Sequence, residues 1–116
     1  MQNPPLDLSP WDRSHRLTVA LYRFGRCLPD PERQSLGMEL ARAASDVPVL
    51  FGESLRQSSR RRARALVDAA RARAHEVECL LQILRELPFL NRKMLRVLLR
   101  ENKEIIELLL EHSNDL

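Results

Sequence analysis

Leu17, Leu21, Phe24 and Leu28 recur at intervals of four, three and four residues. That spacing keeps one face of an α-helix apolar and predicts a first helix over residues 12 to 28. Residues 1–11, with three prolines, are expected to form an extended or disordered arm ahead of it. Pro29-Asp30-Pro31 then ends the first helix and opens a second, since Asp30 suits a cap and Pro31 a first helical position. The second stripe (Leu36, Leu40, Ala43, Val47, Leu50, Ser54) runs straight across Pro48. A proline there leaves the carbonyl of Ala44 without its helical donor, so a kinked helix is expected.

Ser58 or Ser59 caps a third helix, whose stripe runs Ala63, Leu66, Ala70, Ala74, Val77, Leu81 and Leu84 before Leu87-Pro88 closes it. Asn91 caps a fourth, with Leu95, Leu98, Leu99, Asn102, Ile105, Ile106 and Leu109 on one side. Four amphipathic helices with short connections predict an all-α fold, an antiparallel up-down-up-down four-helix bundle filling residues 12–116 as a single domain.

Composition narrows the chemistry. Five aromatic residues and three glycines in 116 leave little material for strands, hairpins or phosphate loops. The opening MQNPPLDLSPW has neither a basic start nor an apolar run, and no segment reaches membrane-span length. Two cysteines, Cys27 and Cys79, make no disulfide framework in a leucine-rich chain. These features predict a soluble cytoplasmic protein with reduced thiols.

His75 and Cys79 stand four apart on one outward helix face, but two ligands are too few for a metal site, and His15 and His112 sit in separate helices. Ser45, Ser54, Ser58 and Ser59 have no histidine–acid partner at a suitable spacing. The chain is therefore expected to be no enzyme and to hold neither metal nor cofactor.

Charge is where the sequence departs from a plain bundle. Residues 54–73 carry seven arginines against Asp68, a local balance of +6, and residues 92–100 add +4. Residues 101–116 reverse to −4. The third and fourth helices thus both begin basic and end acidic, the unfavourable sense for the helix dipole.

Two readings compete. In an antiparallel pair the basic start of the third helix lies beside the acidic end of the fourth, so interhelical pairing would absorb the pattern. Alternatively, the arginines point in too many directions for one neighbour. Arg60, Arg64 and Arg71 fall on one flank of the apolar stripe, Arg62 and Arg73 on the other, and Arg61 outward. Arg56 and Arg13 or Arg16 are expected near the same end, which would make a phosphate-binding surface.

The run AASDVPVLFGES followed by Arg56 and Ser58 resembles a helix-two signature of the four-helix-bundle proteins encoded in ribosomal RNA intervening sequences, relatives of the accessory variability determinant of diversity-generating retroelements. Ala43, Ala44, Val47, Pro48 and Glu53 match that signature, and Phe51 matches conservatively. Ala70, Glu76, Val77 and Glu78 are similar to the family's third-helix pattern, and the likeness extends over residues 12 to 113 through LPFL at 87–90. Leu50, Ser54 and Ala72-Arg73 depart from it.

The resemblance implies a homopentamer of four-helix subunits with a basic surface that binds nucleic acid. In the retroelement branch it also implies a role beside a reverse transcriptase. On that reading Arg56, Arg60, Arg61, Arg64, Arg71 and Arg73 contact the RNA or DNA backbone. No aromatic residue interrupts residues 54–73, so phosphate and shape recognition is expected rather than base stacking. The alternative is a structural bundle that assembles with itself or another protein, for instance through the outer face of the fourth helix, and has no nucleic-acid role.

Overall fold

The structure is a computed structural model and describes residues 8–88 and 90–116. Four α-helices make up the bundle: α1 (Ser9–Arg26), α2 (Met38–Ser54), α3 (Arg60–Arg85) and α4 (Arg92–Asn114). Sequence neighbours pack side by side and α4 closes back on α1, along the narrowest of the four seams. The body measures 55 × 22 × 18 Å. No helix among the described residues is long and apolar enough to cross a membrane.

Helix α1 starts earlier than its leucine spacing predicts, so Ser9, Pro10 and Trp11 form its first turn instead of belonging to an arm. A proline at this point forfeits no helical bond, because first-turn N–H groups have no partner within the helix. Pro10 is buried, and its carbonyl accepts a bond from Ser14 Oγ at 2.6 Å. The rest of the expected arm, residues 1–7, lies outside the described residues.

The second helix starts differently too. A π-helical turn spans Arg33–Gly37, with the Gly37 N–H reaching the Glu32 carbonyl at 2.9 Å, and α-helix resumes at Met38. Asp30 does not cap; its carboxylate pairs with Arg33 at 3.1 Å. Here the glycines matter. A Cβ on Gly37 would stand 3.2 Å from the Gly25 carbonyl oxygen, and one on Gly25 would stand 3.3 Å from Gly37 Cα. The end of α1 and the π-helical turn therefore meet backbone to backbone.

The predicted caps on the other two helices are in place. Ser59, rather than Ser58, accepts from the Arg62 N–H at 3.3 Å, and Asn91 accepts from the Met94 N–H at 3.0 Å. Each bond satisfies one of the orphan donors at a helix start.

Leu21, Leu40, Leu81, Leu84 and Leu109 are fully buried along the bundle axis, as their spacing predicts. One position in each of two stripes differs from expectation: Phe51 and Val67 are fully buried, while their neighbours Leu50 and Leu66 are only half-buried, and the remaining members of α3's stripe are buried as predicted. Asn102 is buried with them, and its Nδ2 donates to the Ala74 carbonyl at 2.9 Å, tying α4 to α3.

Helix α2 runs unbroken through Pro48, which is itself buried. The carbonyl that this proline orphans, that of Ala44, accepts a hydrogen bond from Thr18 Oγ1 at 3.0 Å. The same hydroxyl lies 2.7 Å from the Ser14 carbonyl. Ser14 already receives the α-helical N–H, so Ala44 is the acceptor that depends on the hydroxyl proton. A tertiary contact thus repairs the broken ladder.

Candidate nucleic-acid interface

At one end of the bundle the start of α1, the end of α2, the start of α3 and the end of α4 come together. Trp11 lies against Gly52, where an added Cβ would meet its ring at 3.8 Å, and the ring stacks on His15 at 5.1 Å. His112 sets its edge against Phe51 at 4.9 Å. Both histidines are thereby held in aromatic contacts.

The arginines of this end divide into two groups. Arg56, Arg60, Arg61 and Arg64 are exposed and make no ion pair among the described residues, and the same holds for Arg62. Arg71 and Arg73 are neutralised. Arg71 approaches Asp68 at 3.9 Å, and Arg73 reaches Asp46 of α2 at 3.6 Å and Glu76 at 3.1 Å. Of the six arginines singled out from sequence, four are therefore uncompensated and two share their charge with carboxylates.

Arg13 and Arg16 do not add to the excess, contrary to expectation. Arg16 pairs with Asp12 at 2.8 Å, and Arg13 spans the α1–α4 seam to Glu101, at 2.8 Å, and to Glu104. The hydrogen bond to Glu104 is the chief cause raising the Arg13 pKa, and the same bond holds the Glu104 carboxyl below its ordinary range.

Direct pairing between the basic start of α3 and the acidic end of α4 is absent among the described residues. Rotation of α4 explains this. Asn102 and Ser113 face α3, whereas Glu101 and Glu104 face Arg13 on α1. With that orientation, Glu107 falls beside Lys103 and Arg96, Glu111 projects outward and Asp115 toward the α1 side. Among the described residues, the polar link from this end of α4 to α3 comes from a hydroxyl and not from a charged side chain of α4, Ser113 Oγ donating to the Asp68 carboxylate at 2.7 Å. Neither α3 nor α4 has an acid in its first turn. The positive dipole end of α3 and the unpaired arginines therefore act together, an arrangement that favours phosphate.

The sequence model of the 23S rRNA-intervening sequence protein family matches residues 6–111. The chain belongs to that family. A structure from the S23 ribosomal protein family of Bacteroides thetaiotaomicron, a protein described as of unknown function, aligns over 90% of this chain and 97% of its own, with a TM-score of 0.82. At 18% identity it shows a shared fold. No curated protein gives a significant match.

Within this intervening-sequence protein the sequence reading missed a second basic group at the opposite end. Arg85, Arg92 and Arg96, with Leu95 and Leu99, line a depression of about 470 Å³ between α3 and α4. Arg92 donates to the Arg85 carbonyl at 3.5 Å and Arg85 to the Gln82 side chain at 3.3 Å; none of the three arginines pairs with a carboxylate among the described residues. The +4 run over residues 92–100 was the available signal. Its junction with Arg85 required the bundle's register.

Proposed function

We propose that this protein is a non-enzymatic, nucleic-acid-binding bundle that works as an oligomer and recognises the phosphate backbone. The observation that carries the reading is the absence, among the described residues, of any carboxylate partner for Arg56, Arg60, Arg61, Arg62 and Arg64, although acids stand nearby on α4. Five exposed guanidinium groups left unneutralised around one helix start destabilise an isolated bundle through like-charge repulsion and dipole mismatch. A phosphate ligand relieves both.

Self-association is the other half of the reading. It is supported by the apolar band on the α1–α2 face, where Trp11, Val19, Tyr22, Met38 and Val49 are all exposed, Tyr22 by 54% and Met38 by 65%. A band of that kind suits contact with a second copy of the chain. The pentamer, and service as an accessory to a reverse transcriptase, follow from the family resemblance and are part of the same proposal.

Labelled structured RNA titrated with the protein across a salt series tests it. The expected result is an affinity that falls steeply with salt, and a large loss on replacing Arg60, Arg61 and Arg64 together by Ala with helicity and assembly size unchanged. Unaltered binding in that variant would remove the assignment and favour the structural bundle.

A further inference from the structure

Given the nucleic-acid reading above, we infer that the binding surface is the whole α3–α4 face, and that its ligand is a duplex lying along the bundle and gripped by two arginine clusters. Three observations lead there.

The first is coplanarity. Asn102 donating to Ala74 and Ser113 donating to Asp68 fix which sides of α3 and α4 meet. From those anchors, helical periodicity places Arg60, Arg64, Arg71 and Arg85 on the flank of α3 that borders α4. It places Arg92, Arg96 and Lys103 on the facing flank of α4. One face of the bundle thus carries both clusters.

The second is spacing. Arg60 and Arg85 bound α3, so at 1.5 Å per residue the outer limits of the two clusters stand about 38 Å apart along the axis, and Arg64 and Arg85 about 32 Å. A duplex presents the same strand again after one turn, about 34–36 Å for B-form DNA. The charge between the clusters is mixed: Asp68 is taken up by Ser113 and Arg71, and Lys103 stands near the middle with Glu78 and Glu107. Two grips with a quieter centre match a backbone that touches the face, turns away and returns.

The third is the lack of a stacking platform. Among the described residues this face carries no Trp, Tyr or Phe side chain: Trp11 and Tyr22 belong to the α1–α2 face, while Phe51 is fully buried and Phe24 packs against the core, which leaves the exposed His75, beside Arg64 on the wheel, as the ring among these arginines. Single-stranded ligands draw much of their binding energy from stacking on aromatics, whereas duplexes are held through phosphates and shape. The chemistry recognised is therefore the paired phosphate backbone, common to duplex RNA and duplex DNA.

Fluorescence anisotropy with the full chain tests this, using RNA and DNA duplexes of about 8, 12, 16 and 24 base pairs and the matching single strands. The expected result is a sharp gain in affinity once a duplex exceeds about one turn, in the RNA arm, the DNA arm or both; whichever gains is the source of the ligand. Replacing Arg92 and Arg96 by Gln weakens a duplex of about 16 base pairs roughly tenfold or more and leaves an 8-base-pair duplex much less affected. Arg60 and Arg64 to Gln do the same from the other end. Lysine at these four positions retains most of the binding, and circular dichroism confirms that each variant is folded.

If the Arg92/Arg96 variant binds long duplexes like the parent, or single strands bind as well as duplexes, the two-cluster track is overturned while the nucleic-acid reading stands. If the parent binds no nucleic acid even at low salt, both fall.

Discussion

The α1–α2 face and the α3–α4 face lie on opposite sides of the bundle, the first built from helices of 18 and 17 residues and the second from helices of 26 and 23, and the first is the more apolar, the second the more basic. The first exposes Trp11, Val19, Tyr22, Met38 and Val49. The second exposes Arg60, Arg64, Arg85, Arg92, Arg96 and Lys103. Between them run the two seams that hold the interhelical ion pairs. Arg73–Asp46 and Arg42–Glu76 join α2 to α3, and Arg13 joins α1 to Glu101 and Glu104 of α4. Among the described residues, charge compensation between helices is thus confined to two alternate seams. An ion pair on an exposed surface contributes little to stability, so this segregation does little to reinforce the bundle, and on the function proposed above it separates a subunit contact from a phosphate-binding face.

Breaking the seam beneath the basic face has the largest expected effect. Asn102→Asp puts a carboxylate against the Ala74 carbonyl in a buried site, at a cost of about 3–5 kcal/mol at neutral pH. Urea unfolding near pH 7 measures it, and a midpoint equal to the parent's would show that α3 and α4 are not held as described. The apolar face comes next. Val19→Glu with Tyr22→Glu should weaken self-association roughly a hundredfold, read by sedimentation velocity, with helicity retained. An assembly of undiminished mass would place the subunit contact elsewhere.

Smaller effects test the scaffold. Thr18→Val leaves the Ala44 carbonyl without a donor and should cost about 1–2 kcal/mol. In a Pro48→Ala background the restored N–H serves that carbonyl, so the same substitution should cost clearly less. Equal costs in both backgrounds would refute the repair. The smallest effect is on pH dependence. Because Arg13 lowers the Glu104 pKa, the pair contributes its stability in full above the unfolded carboxyl value, near 4.3. That contribution is lost as pH falls through the lower folded value. Thermal melts from about pH 6 to 3 should decline more steeply for the parent than for Glu104→Gln.

The four helices, their order and the caps at Ser59 and Asn91 were legible because each depends on local spacing or on the residue beside a helix start. The start of α2 was not. Its π-helical turn accompanies the close approach of Gly25 and Gly37, two residues whose contact no local pattern reveals. The same is true of Pro48: the sequence announces an orphaned carbonyl and cannot name Thr18 as the group that fills it.

The candidate site was legible in part. Five arginines packed into residues 56–64 stand out in any reading, and none of them has an ion pair among the described residues. Arg71 and Arg73 looked equivalent to them until Asp68, Asp46 and Glu76 took their positions. Arg85 and Arg92 come together only because the α3–α4 turn folds the chain back on itself.

The most direct test of the account compares salt dependence across two sets of substitutions that remove similar charges. One set replaces Arg60, Arg64, Arg92 and Arg96 by Gln, and the other replaces the ion-paired Arg16, Arg33, Arg42 and Arg73. For a duplex of about 16 base pairs, the slope of log affinity against log salt should lose roughly 3–4 in magnitude in the first set, following about 0.9 per phosphate contact, and less than about 1 in the second. Equal losses in both sets, or none in the first, would contradict the claim that the unpaired arginines of the α3–α4 face are the binding surface.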